Sequence, residues 1–151
     1  MDERLIGAFT ASVKGTFKDM FGLEAALLGS RALDGEAQHG WDLTGLIGLA
    51  GQSQGVIALR LTRQLAGKLL AGSGVQPSHD EERRQLEGGL VGEISNIIAG
   101  AATASIDAEI APPVMISGPN HKIGWPAIAP VVALAFTLPE GPFELDLCIK
   151  D

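Results

Sequence analysis

The chain has 151 residues, of which 46% are hydrophobic and 19% charged, so it suits one folded domain over residues 1–151 and is not a disordered chain. Its net charge of −7, with eleven scattered Lys and Arg residues, argues against nucleic acids and anionic membrane surfaces as partners. No apolar run reaches about 18 residues, so no membrane span is predicted.

The first predicted element is a helix over residues 3–20, because its apolar residues recur at steps of three and four and Gly22 follows as a stop signal. This start is acidic and amphipathic rather than basic and then apolar, so no signal peptide is predicted. Residues 23–28 are predicted as a strand. The next segment, RALDGEAQHG, is predicted as a polar loop.

Two apolar runs, 43–50 and 56–61, flank the sequence GQSQG and predict a β-hairpin with a five-residue connection. Thr62 is predicted to cap a short helix that follows. GQSQG also matches the G-x-S-x-G nucleophile elbow of hydrolases, which needs a strand before the serine and a helix after it. Because a second strand follows here, we interpret Ser53 as a turn residue.

A long helix is predicted to follow the turn sequence GSGVQP and to end near Ser105. Ser78 and Glu81 have the spacing of a capping box, with Ser78 as the N-cap and Glu81 as the third helical residue. The charged residues of the first turns are expected to be solvated and paired with one another. These residues are Asp80, Glu81, Glu87, Arg83 and Arg84.

Three extended segments complete the chain: VMISG after Pro112 and Pro113, then residues 131–138, and then residues 143–150. In the last segment, alternation predicts one apolar face and one polar face that includes Glu144 and Asp146. The elements show no regular strand–helix–strand order, which predicts an α+β fold with an antiparallel sheet packed against amphipathic helices. Both halves place a helix before strands, but without matching residues an internal repeat stays a hypothesis.

Several residues that could bind or react have simpler interpretations. His39, His79 and His121 fall in separate loops or helix ends without the spacing of a metal site, so we expect no bound metal. Trp41 and Trp125 are expected to cover the edge of the core. The only cysteine, Cys148, lacks partner residues and is expected to be an inert strand residue in a protein of the reducing cytoplasm.

The long helix carries an unusual sequence, GEISNIIAG, at residues 92–100. At about 100° per residue, one side collects a predicted buried stripe. That stripe consists of Leu86, Leu90, Ile94, Ile97, Ile98 and Ala101. Beside it, Gly89, Glu93, Asn96 and Gly100 fall within about 60° of arc. Glu93 and Asn96 are three residues apart and therefore neighbours, and the glycines leave them room to be approached.

A carboxylate and a carboxamide offer limited chemistry. The carboxamide can orient a water molecule because it both donates and accepts hydrogen bonds, and the carboxylate can hold a lysine. This pair suits an enzyme that relies on its substrate for most of the catalytic groups, such as a phosphoryl-transfer enzyme that positions water. An exposed Glu and Asn on a helix are also common without any function, so E-x-x-N alone decides nothing.

The wider sequence resembles the CheX branch of the CheC/CheX/FliY phosphatases of bacterial chemotaxis. The likeness covers nearly the whole chain in the family's order: the amphipathic first helix, the hairpin LTGLIGLAGQSQGVIALRL, the G-E-I-S-N-I-I-A-G helix, and PPVMISGPNHKI before a terminal strand pair. The resemblance implies a CheC-like fold and a phosphatase of a CheY-like response regulator that carries a phosphoaspartate.

The resemblance also implies roles for individual residues. Glu93 matches the family glutamate, which pairs with the lysine of the regulator. Asn96 matches the family asparagine, which orients the attacking water. Magnesium is expected on the partner regulator, so the chain needs no cofactor or metal site of its own. Members of the CheX type carry one such helix and form homodimers, and the first helix here has no E-x-x-N.

Two positions depart from the family pattern. Gly89 stands where the family often has Asp or Ser, which puts in doubt any supporting contact from that position. Either Pro113 or Pro119 matches the family proline, and we prefer Pro113 because a strand is predicted to begin there. Besides the phosphatase, a non-catalytic binding module for a response regulator or flagellar-switch partner is considered, as is a purely structural dimer subunit.

Overall fold

The computed structural model describes residues 2–33 and 40–150. Within these ranges the helices are α1 (Glu3–Phe21), α2 (Arg63–Gly72) and α3 (Asp80–Thr103). The strands are β1 (Ala26–Ala32), β2 (Leu43–Gly51), β3 (Gln54–Leu61), β4 (Ala108–Ile110), β5 (Val114–Ser117), β6 (Val132–Leu138) and β7 (Gly141–Lys150). The predicted loop at RALDGEAQHG lies mostly outside the described residues.

All of these strands join one antiparallel sheet in the order β1–β6–β7–β3–β2, with β4 and β5 both paired to the free side of β2. The predicted α+β class with an antiparallel sheet is confirmed. The core lies between the helices and one face of the sheet. Phe17 of α1 meets Phe143 of β7 there, with ring centroids 4.7 Å apart, and Phe136 of β6 lies 5.2 Å from the same ring.

The helix ends follow from local chemistry, with one correction. Gly22 ends α1 in the left-handed conformation, at φ 67°, and the Thr62 side chain accepts a hydrogen bond from the Leu65 N–H, as predicted. The N-cap of α3 is His79, whose Nδ1 accepts from the Glu82 N–H, so the prediction of Ser78 is wrong. Ser78 instead donates its hydroxyl to the Glu82 carboxylate, because the helix begins one residue later than the capping-box spacing implies.

Two strand predictions are shifted by pairing between strands. The first strand is β1, at residues 26–32 rather than 23–28, because its partner β6 sets the register. The hairpin connection contains two residues, Gln52 and Ser53, because the β2–β3 ladder continues to Gly55. A strand does follow Ser53, so the turn interpretation of GQSQG holds. β5 begins directly after Pro113, as preferred.

The face of the sheet away from the helices carries a buried polar cluster, which the alternation of β7 does not predict. Glu144 and Asp146 are both buried, although the sequence predicts them on a polar face. Arg60 Nη1 lies 3.7 Å from Asp146 Oδ2, and Arg31 Nη2 donates to Glu144 Oε1 over 2.7 Å. The segment 118–131 covers this face, since the carbonyl of His121 accepts a hydrogen bond from Arg60 Nη2.

Burial of this cluster makes stability sensitive to pH. The pKa of Asp146 is raised to about 9 because burial disfavours the carboxylate and Glu144 lies beside it, against the opposing charges of Arg60 and Arg31. Between pH 4 and 9 the folded chain therefore holds one more proton here than the unfolded chain, so this group makes the fold less stable as pH rises through that window. This loss of stability stops above the pKa that Asp146 has in the folded chain.

Asp146→Asn should remove that loss, because an amide keeps the shape of the protonated carboxyl and does not ionise. Thermal unfolding followed by circular dichroism is expected to show that the Tm of the variant, relative to that of the wild type, is higher at pH 8 than at pH 5. The other titrating groups are shared, so the difference between the two proteins isolates Asp146. A variant that melts equally far below the wild type at both pH values contradicts this assignment.

No helix in the described ranges is both long and apolar enough to span a bilayer.

Candidate functional site

The long helix α3 is rotated about its axis relative to the predicted orientation. Its buried residues are Glu87, Val91, Gly92, Ile94, Ser95, Ile98, Ala99, Ala102 and Thr103. Ile97 is 39% exposed and Ala101 is exposed, so their assignment to the buried stripe is wrong. The stripe is turned by roughly 100° because small residues, rather than the largest ones, face the sheet.

The close approach of α3 to β2 explains this rotation. A Cβ atom at Gly45 of β2 would overlap the Ser95 hydroxyl and lie 3.5 Å from the Val91 carbonyl oxygen. Gly92 packs against β5 and the residue before it, where an added Cβ would lie 3.4 Å from Met115 Sδ and 3.7 Å from Pro113 Cγ. These small residues let the backbone of α3 pack closely against the sheet. This close contact determines which side of α3 is buried.

Glu93 and Asn96 both point to solvent, as the sequence predicts. Within the described ranges, neither side chain makes a hydrogen bond or an ion pair. Gly89 and Gly100, which share the same arc, are exposed too, and an added Cβ at Gly89 would meet nothing within 4 Å. The pair therefore stands on an open, side-chain-poor surface that another protein can reach.

The backbone beneath the pair is firmly held. Ile94 and Ile98 are fully buried, one on each side of Asn96 along the chain. The Ser95 hydroxyl donates to the Val91 carbonyl over 2.7 Å within the helix. The buried hydroxyl of Ser12 in α1 donates to the Ile98 carbonyl, also over 2.7 Å, and joins the two helices next to the site. A rigid helix carries the polar pair, which suits positioning chemistry.

Two grooves flank the site. The first, which we call the α1 groove, has a volume of about 390 Å³, and its lining includes Gly15, Thr16, Asp19, Met20, Ile97 and Ala101. The second, the α2 groove, has a volume of about 500 Å³, and its lining includes Met20, Phe21, Leu70, Val75, Leu90 and Glu93. Sequence reasoning missed both grooves, because each joins residues distant in the chain.

The remaining candidate residues lie apart from this surface. His39 is outside the described residues, His79 caps α3, and His121 Nε2 lies 2.6 Å from the Thr44 hydroxyl beneath segment 118–131. The described residues contain no group of three or more His, Cys, Asp or Glu side chains that could hold a metal ion. Cys148 is buried, and its thiol lies 3.5 Å from the Ala129 carbonyl oxygen.

The burial of Glu87 contradicts another prediction. It is only 2% exposed, whereas the sequence predicts a solvated side chain at the start of the helix. The reason is that α2 packs over this part of α3: a Cβ added to Gly67 would lie 3.2 Å from Glu87 Oε2. Trp41 and Trp125 are half-buried, but neither is among the partly buried residues that pack against the core, so their place at its edge stays a prediction.

Comparison with known proteins identifies the class. The family model described as chemotaxis phosphatase CheX matches residues 43–137. A curated relative, the CheY-P phosphatase CheX of Thermotoga maritima, is 25% identical over 99% of this chain and 98% of its own. The crystal structure of the chemotaxis protein CheX from Vibrio vulnificus is 26% identical, covers 97% of this chain and 99% of its own, and superposes with a TM-score of 0.82.

The fold is also that of a CheX described in complex with CheY, BeF3 and magnesium, from Borrelia burgdorferi. That structure is 22% identical, covers 97% of each chain and has a TM-score of 0.79. The helices and the antiparallel sheet thus form a CheC-like fold. Because the family model matches more than half of the sequence, the chain belongs to the chemotaxis phosphatase CheX family.

Proposed function

We propose that this protein hydrolyses the phosphoaspartate of a CheY-like response regulator and that Glu93 and Asn96 form its site. The observation that carries the proposal is the exposure of these two adjacent side chains on a rigid, otherwise bare helix face. The family membership and the relative named a CheY-P phosphatase support the activity. The Borrelia burgdorferi complex of CheX with CheY supports the class of partner.

In the proposed reaction, Asn96 holds the attacking water in line with the acyl phosphate. Its carboxamide accepts a hydrogen bond from the water and donates one to a phosphoryl oxygen. The water oxygen bonds to phosphorus as the bond from phosphorus to the aspartate oxygen breaks. The aspartate leaves as a carboxylate, and the proton of the water goes to the released phosphate. Positioning is the main contribution, as expected for phosphoryl transfer.

Glu93 has a docking role in this proposal. Its carboxylate, one turn before Asn96 on the same face, would pair with the lysine at the regulator's phosphorylation site. Magnesium would be bound by the regulator, where it neutralises charge on the phosphoryl group. We further propose a homodimer, from the CheX resemblance, and analytical ultracentrifugation would test it.

A binding module without useful turnover is the second candidate, and Gly89 favours it. Glycine lacks the supporting side chain that the family often carries at this position. No other described residue fills the space, since a Cβ added at Gly89 would meet nothing within 4 Å. The test measures phosphate release from a purified, phosphorylated CheY-like regulator of the same organism. Substoichiometric amounts of the protein should release all of the phosphate. Binding without accelerated release would favour the module.

Glu93→Ala is expected to weaken docking rather than the chemical step. The KM for the phosphorylated regulator should rise about tenfold or more, because the regulator's lysine would lose its charged partner. The measurement is phosphate release against regulator concentration. Glu81→Ala is the matched control, since Glu81 is an exposed carboxylate on the same helix far from Asn96. An unchanged KM in Glu93→Ala would refute the docking role.

A further inference from the structure

Two of the five exposed large apolar side chains in the described residues lie on the grooves beside the site. Ile97, at 39% exposure, lines the α1 groove, and Val75, at 40% exposure, lines the α2 groove. Met20 lines both grooves, so they meet at the end of α1. The polar pair thus lies between two apolar depressions instead of standing alone on a polar surface.

The size of a protein interface links these grooves to the site. A stable interface covers about 800 Å² on each partner, which is a disc of roughly 16 Å radius. Packed helices lie about 8–10 Å apart. A folded partner centred on Glu93 and Asn96 therefore covers both grooves. Ile97 follows Asn96 directly in the chain, and Glu93 itself lines the α2 groove.

We propose that the phosphorylated response regulator binds across both grooves and that Ile97 and Val75 are its main apolar contacts. This inference rests on the proposed function, because it extends the same site. The polar pair directs the chemistry, while the apolar side chains supply affinity and select among regulators by shape. Apolar contacts near the centre of an interface contribute more than charges at its rim.

The opposite face of the molecule offers a matched control. Ile128 is 41% exposed, nearly the same as Ile97. It lies in the segment whose Pro126 and Ala129 carbonyls approach the Cys148 thiol. Cys148 alternates along β7 with Leu147, which faces the core and the helices, so Ile128 lies on the side of the sheet away from the site.

The experiment compares Ile97→Ser, Val75→Ser and Ile128→Ser. The probe is a purified CheY-like regulator of the same organism, first held with BeF3 and magnesium for binding and then phosphorylated for turnover. Ile97→Ser and Val75→Ser should each raise the Kd and the KM about tenfold while kcat stays within twofold of the wild type. Ile128→Ser should match the wild type in all three values.

The outcomes separate the two proposals. If the wild type hydrolyses the phosphoaspartate and both groove variants keep its Kd, the docking surface is overturned while the phosphatase stands. If the wild type neither binds nor hydrolyses the regulator, both proposals fail. An equal loss in all three serine variants would show a general effect of surface polarity and would also overturn the docking surface.

Discussion

Asn96→Ala is expected to lower kcat for phosphate release by about 100-fold or more, with little change in affinity for the regulator. The carboxamide is exposed on a rigid helix and would act only on the water and the phosphoryl group as they react. Removing one such positioned hydrogen-bonding group typically costs about 10²–10³ in kcat. A group that acts in the transition state changes kcat, whereas one that binds the ground state changes KM.

Single-turnover phosphate release at saturating variant protein isolates this effect from binding. Gln64→Ala serves as the control, because Gln64 is an exposed carboxamide on α2. The Gln64→Ala variant should release phosphate at the wild-type rate. Fast release that persists in Asn96→Ala would mean that other residues carry the chemistry. Together with Glu93→Ala, the variant separates a loss of turnover from a loss of docking.

Gly45→Ala is expected to reduce the free energy of unfolding by about 1–3 kcal/mol, the usual cost of overpacking a core. The added methyl group would overlap the Ser95 hydroxyl and lie 3.0 Å from the Ser95 Cβ. Ser95 cannot turn away freely, because its hydroxyl donates to the Val91 carbonyl. The helix must therefore move from the sheet. Since Ser95 precedes Asn96, kcat should fall as well.

Urea unfolding measures the loss of stability, and two further variants show its origin. Gly48→Ala, on the same strand, adds a Cβ at 3.8 Å from the Ala111 Cβ, an ordinary contact, and should stay near the wild type. Ser95→Ala combined with Gly45→Ala removes the overlapping hydroxyl and should recover part of the stability. If Gly45→Ala and Gly48→Ala are equally stable, close contact at Gly45 does not hold α3 in place.

Local signals were sufficient for much of the fold and for the position of the polar pair. The steps of three and four in α1, the Thr62 cap of α2 and the alternation of the strands act within one element, so the chain predicts them directly. Glu93 and Asn96 share a face because of the helical repeat alone. Their predicted exposure is confirmed, although α3 is rotated relative to the predicted orientation and packing against the sheet decides which side is covered.

The packing of distant segments decided what those signals could not. α3 turns its small residues inward because Gly45 and Ser95 permit close contact, and this exposes Ile97 beside the site. Asp146 and Glu144 are buried because segment 118–131 covers their face, and Glu87 because α2 covers it. Burial of a side chain depends on what lies over it, and the covering residues are remote in the chain. The sequence by itself therefore determined which residues form the pair, while the tertiary structure determined the surface around them.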